Sequence, residues 1–523
     1  MVSPASLKSR SHYSASLRDF NSKQWKNGGR SGLSAVSWKR LRKQWPWLEQ
    51  LKPHQRRGAE AALSIDGFAA FFAQRTGKTW VTGAVLCAEF GVSLDVLLVG
   101  PLTNLESTWV KFLTEKLPWY SVHRDLTSYQ NHQKAFVKAW GHRDHCILLL
   151  NPEQLTKKLI ARIRRMSWNR FIWDEAQRLK NRSSSSSRAA ALIAGSCERR
   201  LALTGTPIDR NPKDTWAIMR FVEVGVFGNV WKDFEDYFLV KPDMDIKKGG
   251  MLRQQKMKLA YMIAKRKAPM RPDRIDEYAE LISPHVMRIS KEDAGIEPAK
   301  ITIIPFDLDP QEDRHYRQLE KNMVLKSGKV KVKTPLKITQ LVKLQQLTGG
   351  YIKDEDGQLH QMGTTKRRRL RREIIARVDD EPFVVFCKFV WEVHMIARIL
   401  ERMGYDRVAK LWGKVKDLKK DKRRTNMLLD FQKGKYQAMV CQQRTGGVGV
   451  DLYRARKFFV YSMGHSYIDY DQMLSRGDFL NQDTPAEFFL LAVKSSIDTD
   501  VIVSVKEKKS ITEAFYDRLN RHP

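Results

Sequence analysis

The sequence predicts an α/β protein built on a doubly wound parallel sheet. Three observations carry that prediction. Short apolar runs recur at residues 68–72, 95–100, 146–150 and 171–173, as expected of strands buried on both faces. Stretches of helical spacing separate these runs. The runs ending at Phe72 and Trp173, and another at residues 200–202, pass directly into polar turns, and open parallel sheets bind their ligands at that end.

Residues 1–45 are rich in Ser, Gly, Lys and Arg and read as a basic arm, with a short helix near residues 38–47. LKPHQRRG (51–58) opens the ordered part, and the amide of its Gln55 is suited to an adenine edge. The first apolar run meets AQRTGKT (73–79), and a helical pattern follows at residues 80–90. The free N–H groups of a helix start, together with its dipole, favour a phosphate chain. Gly77 lets the backbone come close, Lys78 brings a positive charge to the outer phosphates, and the Thr79 hydroxyl suits Mg²⁺. Phe72 stands where the general phosphate-loop pattern has a further glycine.

The second run ends at Pro101, and Trp109 follows on a helix. After residues 171–173 come Asp174, Glu175, Ala176 and Gln177. Adjacent carboxylates at the end of a buried strand are unfavourable unless they hold something. Asp174 suits Mg²⁺, and Glu175 suits polarisation of an attacking water. LTGTP (203–207) then makes a small polar turn beside the same sheet edge.

In the second half, EPFVVFC (381–387) reads as the first strand of a second lobe and residues 436–441 as a later one. Two stretches, LDPQEDRHYRQL (308–319) and LKITQLVKLQQLTGG (336–350), have helical spacing. Gly446, Gly447 and Gly449 allow close backbone approach in the turn at 442–452. Basic clusters lie at residues 326–337, 366–372 and 414–424, and favour phosphate contact over a merely solvated face.

The bulk numbers narrow the class. At 523 residues the chain suits roughly two to four domains. A net charge of +35 favours a polyanionic partner, nucleic acid first. No apolar run approaches the roughly 18 residues of a membrane span, and no signal core opens the chain. The five cysteines are scattered without a C-x-x-C pair, so neither a zinc site nor a disulfide framework is expected, and the cytoplasm is the expected location.

Taken together, these motifs give the chain a resemblance to helicase superfamily two, and within it to the Swi/Snf family of DNA-dependent ATPases. The resemblance rests on LKPHQRRG, AQRTGKT, PLTNLESTW (101–109), DEAQRLKNRSS (174–184) and LTGTPIDRN (203–211). It continues through GVFG (225–228), SPHVMRISKED (283–293), TGGVGVDL (445–452) and DQMLSR (471–476). It implies two RecA-like lobes with helical protrusions and ATP in the cleft between them. Lobe 1 would occupy residues 46–298, with a helical insertion at about 225–285. A protrusion and basic linker would fill 299–375, lobe 2 would fill 376–505, and a C-terminal helix or tail 506–523.

The resemblance also implies roles. Lys78, Asp174, Glu175 and Arg476 would carry catalysis, with Mg²⁺ on Thr79 and Asp174. Gln55, Arg75, Thr76, Gly77, Lys78, Thr79, Gln177, Gly449, Asp451 and Gln472 would contact ATP. Thr204, Gly205, Thr206, Thr445, Gly446 and Gly447 would couple the nucleotide to nucleic acid. The implied activity is ATP-driven translocation on double-stranded DNA by a monomer. An RNA-dependent ATPase and a DNA-binding scaffold with a slow site are the alternatives. The second arginine of the family's final motif is replaced by Phe479. Three readings stay open there: Arg476 acts alone, Arg444 or Arg454 substitutes, or turnover is slow.

Overall fold

A computed structural model describes residues 38–90, 95–208, 211–223, 225–228, 230–240, 269–328, 330–334, 336–413, 423–446, 452–478 and 484–520. The chain divides into two units, Met1–Ala294 with Ser510–Pro523, and Gly295–Lys509.

In the first unit, α1 (Trp38–Gln44) and α2 (Pro53–Ser64) lead into β1 (Gly67–Phe72), whose six residues are all buried. Next come α3 (Lys78–Ala88), β2 (Asp95–Val99) and α4 (Val110–Lys116). The chain continues with β3 (Ser121–His123), α5 (Leu126–Trp140), β4 (Cys146–Leu150) and α6 (Lys157–Ile163). Then follow β5 (Trp168–Asp174), α7 (Ser185–Ala194), β6 (Cys197–Thr204) and α8 (Trp216–Val222). The helices α9 (Trp231–Phe238) and α10 (Ile275–Ile282) precede β7 (Val286–Ile289). The seven strands form one parallel sheet in the order β3-β4-β2-β5-β6-β1-β7. Helices cover both faces, so the central strands are apolar without alternation. Sequence order and spatial order part company here, as a doubly wound sheet requires.

Aromatic side chains fix the helix after β1. Trp47 meets Trp80 and Phe112 at ring-centroid distances of 5.5 and 5.8 Å. Gly83 of α3 lies beneath them, where an added Cβ would meet Phe112 at 2.6 Å.

The second unit begins with β8 (Lys300–Phe306), α11 (Pro310–Asn322), β9 (Val324–Ser327), β10 (Val330–Lys333) and α12 (Lys337–Thr348). The hairpin β11 (Tyr351–Lys353) and β12 (Leu359–Gln361) precedes α13 (Thr365–Arg377), β13 (Phe383–Cys387) and α14 (Val390–Arg402). Then come β14 (Val408–Leu411), α15 (Arg423–Gln432), β15 (Ala438–Gln442) and β16 (Lys457–Val460). The unit ends with α16 (Tyr467–Leu474), β17 (Glu487–Val493) and the start of α17 (Ile497–Asn520). Its sheet is also parallel, ordered β14-β15-β13-β16-β17-β8.

One expectation is corrected. The first strand of this sheet is β8, not the run at 381–387. β8 is an outer strand, so its first three residues are exposed, only Ile304 and Phe306 are buried, and it tolerates Pro305. Main-chain bonds link Lys300 N–H to the Ala486 carbonyl and Lys494 N–H to the Phe306 carbonyl, so the intervening alternation turns Pro305 toward the open side. The helical spacing at 308–319 and 336–350 falls on α11 and α12, and β9 and β10 form an antiparallel hairpin between them. There Leu325 and Val332 are buried while the lysines on either side of Val332 stay exposed.

The basic clusters fare differently. Residues 326–328 and 330–333 lie on that hairpin, and 366–372 lie on α13. Lys366 is buried there and pairs with Asp498 at 2.6 Å. Residues 414–422, Gly447, Gly449, Asp451, Phe479, Asn481 and Gln482 lie outside the described residues. No helix among the described residues is long and apolar enough to cross a membrane.

Candidate active site

β1 delivers the chain to the phosphate loop, and α3 starts immediately after it. Gly77 takes φ 92° as the N-cap of α3, a backbone state that suits glycine. A Cβ there would meet Gln55 Nε2 at 2.1 Å. The first N–H groups of α3 have no intrahelical acceptor, so the loop presents donors to an anion. Lys78 Nζ donates to the carbonyls of Phe72 at 2.9 Å and Ala73 at 3.2 Å, which holds its ammonium within the loop. Arg75 is left-handed, with φ 71°.

The loop is braced from α2. Gln55 Nε2 donates to the Thr76 carbonyl at 3.1 Å, and its Oε1 accepts from Lys52 N–H at 3.0 Å. His54 Nε2 lies 2.8 Å from the same Thr76 carbonyl. Burial lowers the His54 pKa, and the bond to Thr76 works against that shift. The bracing by His54 was not anticipated. Its signal was adjacency to Gln55 on a helix facing the loop.

At the end of β5, Asp174 Oδ2 accepts from Trp109 Nε1 at 2.9 Å and Asn104 Nδ2 at 3.2 Å. Its Oδ1 accepts from Glu175 N–H at 2.9 Å. Burial, followed by the neighbouring Glu175 charge, pushes the Asp174 pKa up, while Trp109, Asn104 and Lys78 oppose the rise. A carboxylate so placed gains strongly from a cation. Asn104 was missed because a lone asparagine in PLTNLESTW carries no signal until its partner is known.

Glu175 has φ 55° and ψ 51°, left-handed for a non-glycine residue. Its Oε2 accepts a short bond from Gln177 Nε2. Gln177 Oε1 accepts from Thr204 Oγ1 at 2.6 Å, and Thr204 Oγ1 accepts from Thr206 N–H at 3.1 Å. Glu175, Gln177, Thr204 and Thr206 therefore form one hydrogen-bonded chain across the neighbouring ends of β5 and β6. A Cβ on Gly205 would meet Gln74 Nε2 at 2.9 Å. Gln74 Nε2 and Thr206 Oγ1 are buried polar atoms without a protein partner. The anion-facing helix start, the retained ammonium, the Thr79 hydroxyl and the buried Asp174 fit a magnesium nucleotide.

In the second unit, Gln472 lies on α16 and Arg476 on the turn that follows, both buried. Thr445 and Gly446 belong to a short helical turn, Gln443–Gly446. Arg444 is exposed and pairs with Asp469 at 3.1 Å. Arg454 Nη1 donates to the Tyr436 carbonyl at 2.9 Å and the Phe431 carbonyl at 3.4 Å. Arg454 thus secures the end of α15.

Comparison with known proteins gives two family matches. Residues 14–349 match the SNF2-related domain, and residues 365–477 match the helicase conserved C-terminal domain. YwqA of Bacillus subtilis, described as an ATP-dependent helicase/translocase, is 23% identical over 480 residues, covering 88% of this chain and 48% of its own. The chromatin-remodeling ATPase INO80 of Candida albicans is 31% identical over 193 residues, which is 35% of this chain and 13% of that protein. INO80 of Neurospora crassa is 26% identical over 231 residues, 41% of this chain and 11% of its own. The chain thus spans about half of one curated relative and a small part of the others. A solved structure, the SWI2/SNF2 ATPase core of Sulfolobus solfataricus in complex with dsDNA, is 21% identical with a TM-score of 0.37, covering 88% of this chain and 92% of that one.

Proposed function

The chain belongs to the SNF2-related family, and on that premise we propose that it hydrolyses ATP to drive movement along double-stranded DNA. The observation that carries this reading is the hydrogen-bonded chain from Glu175 through Gln177 and Thr204 to Thr206. It ties the residue suited to water activation to the next strand end, so a change at one is felt at the other.

Each residue then has a task. The first turn of α3 and Lys78 bind the phosphates, and Gln55 and His54 hold the loop in its receptive shape. Thr79 and Asp174 would hold Mg²⁺, which when bound neutralises phosphate charge. Glu175 accepts a hydrogen bond from the attacking water, with Gln177 fixing the carboxylate. Arg476, on the second unit, offers a cation of the kind suited to the charge that develops on a γ-phosphate. The net charge of +35 supplies attraction to a polyanion.

The test is ATP turnover with duplex DNA, single-stranded DNA and RNA as separate additions. Duplex DNA should raise Mg²⁺-dependent turnover most, and Lys78→Ala should abolish it. Stimulation by RNA alone would replace this reading with an RNA-dependent ATPase. Binding of DNA with no turnover at all would replace it with a scaffold.

A further inference from the structure

We propose that the first unit carries a transition-metal site, suited to Zn²⁺, at the outer edge of its sheet, with Cys146, His123 and His132 as ligands. The spacing of the cysteines gave no sign of it, because the three ligands come from three elements. Parallel pairing sets Ser121 opposite Cys146 and His123 opposite Leu148. Side chains alternate along strands, so His123 and Cys146 emerge on the same face. α5 brings His132 to them, and one ligand atom from each of the three residues lies within 4.8 Å of the others.

The distances suit a metal. His123 Nε2 lies 3.8 Å from Cys146 Sγ. Tetrahedral zinc, with bonds of about 2.0 Å to nitrogen and 2.3 Å to sulfur, sets such a pair about 3.5 Å apart. The surroundings also match. Asp144 Oδ2 lies 2.7 Å from His132 Nε2 and accepts from Ser121 Oγ at 2.6 Å, while Oδ1 accepts from His145 N–H at 2.8 Å. A carboxylate that holds one imidazole N–H leaves the other nitrogen as a lone-pair donor, the usual support of a metal-bound histidine. His123 Nδ1 faces Ser128 Oγ at 3.3 Å.

Two nitrogens and a sulfur select a borderline-soft ion and not Mg²⁺, so this site differs in chemistry from Thr79 and Asp174. Cys146 binds as the thiolate, so its proton passes to solvent as the sulfur–metal bond forms. The half-buried imidazoles leave a way in from solvent. Once bound, the ion would tie three-residue β3 to α5 and β4.

The experiment is titration of the full chain, stripped of metal and kept reduced, with Zn²⁺ and separately with Co²⁺. One zinc per chain with release of a proton is expected, and Co²⁺ should give tetrahedral visible bands with a thiolate charge-transfer band. Cys146→Ser should lose the charge-transfer band, and His132→Gln should weaken binding. Asp144→Asn should weaken it about 10- to 100-fold through orientation of His132. Should Cys146→Ser misfold, His132→Gln and Asp144→Asn carry the same test from half-buried positions. Absence of the thiolate band in the unaltered chain, or zinc binding unchanged in these variants, overturns the proposal.

Discussion

Glu175 holds a left-handed backbone at the end of β5, with its carboxylate tied to Gln177. For a residue with a Cβ that state is unfavourable by about 1–2 kcal/mol. The strain places an acid beside Asp174 that an ordinary strand end would turn away. Two substitutions separate the parts. Glu175→Gln should keep ATP binding and reduce turnover by about 10² to 10⁴, as read by nucleotide titration and steady-state ATPase assay. Glu175→Gly should be equally inactive yet melt at a higher temperature, because glycine accepts the backbone freely. A lower melting temperature would show that the side-chain bond to Gln177 outweighs the strain. That Lys78, Asp174 and Glu175 lie at or just past strand ends was legible in the sequence, because each follows an apolar run. His54 and Asn104 were not, since a histidine or asparagine acquires meaning only from the carbonyl or carboxylate it meets.

At the scale of elements, strands buried on both faces were readable as apolar runs, and β1, β2, β4, β5 and β13 lie where such runs fall. The outer strands were not. β3 has only three residues, all half-buried, β8 exposes its first three, β9 ends in Lys326 and Ser327, and β10 alternates valine with lysine. Glu392, near the start of α14, illustrates a cost hidden inside an element. Its Oε2 accepts from Phe389 N–H at 3.1 Å and from Ser462 Oγ, and the residue is fully buried. Burial raises its pKa from 4.5 to about 7, although Ser462 and Phe389 oppose the rise. Between those values the folded protein keeps a proton that the unfolded chain has released. Stability therefore falls as pH rises from 4.5 to about 7, then levels off. Glu392→Gln should flatten that slope and gain as much as ~3 kcal/mol above the window, as measured by urea unfolding at several pH values. An unchanged slope would assign the pH dependence to other groups.

For the whole molecule, the charge of +35 was plain from composition, but its use was not. Lys366, within the densest basic run, is spent on Asp498 inside the protein, and Arg369 and Arg377 both pair with Glu373. Fewer cations therefore face a polyanion than the sequence count suggests. DNA affinity should still fall linearly on a log–log plot against salt. Contact with six to ten phosphates would give a loss of about 10³- to 10⁵-fold between roughly 50 and 200 mM. Fluorescence anisotropy with a labelled duplex measures the slope, and a flat response would remove phosphate contact from the account. Pro305 matters on this scale too. It interrupts the ladder on the outward side of β8, so a stray strand from another molecule finds a rung missing there. Replacing Pro305 with valine would restore that rung and offer neighbouring molecules an edge on which to aggregate.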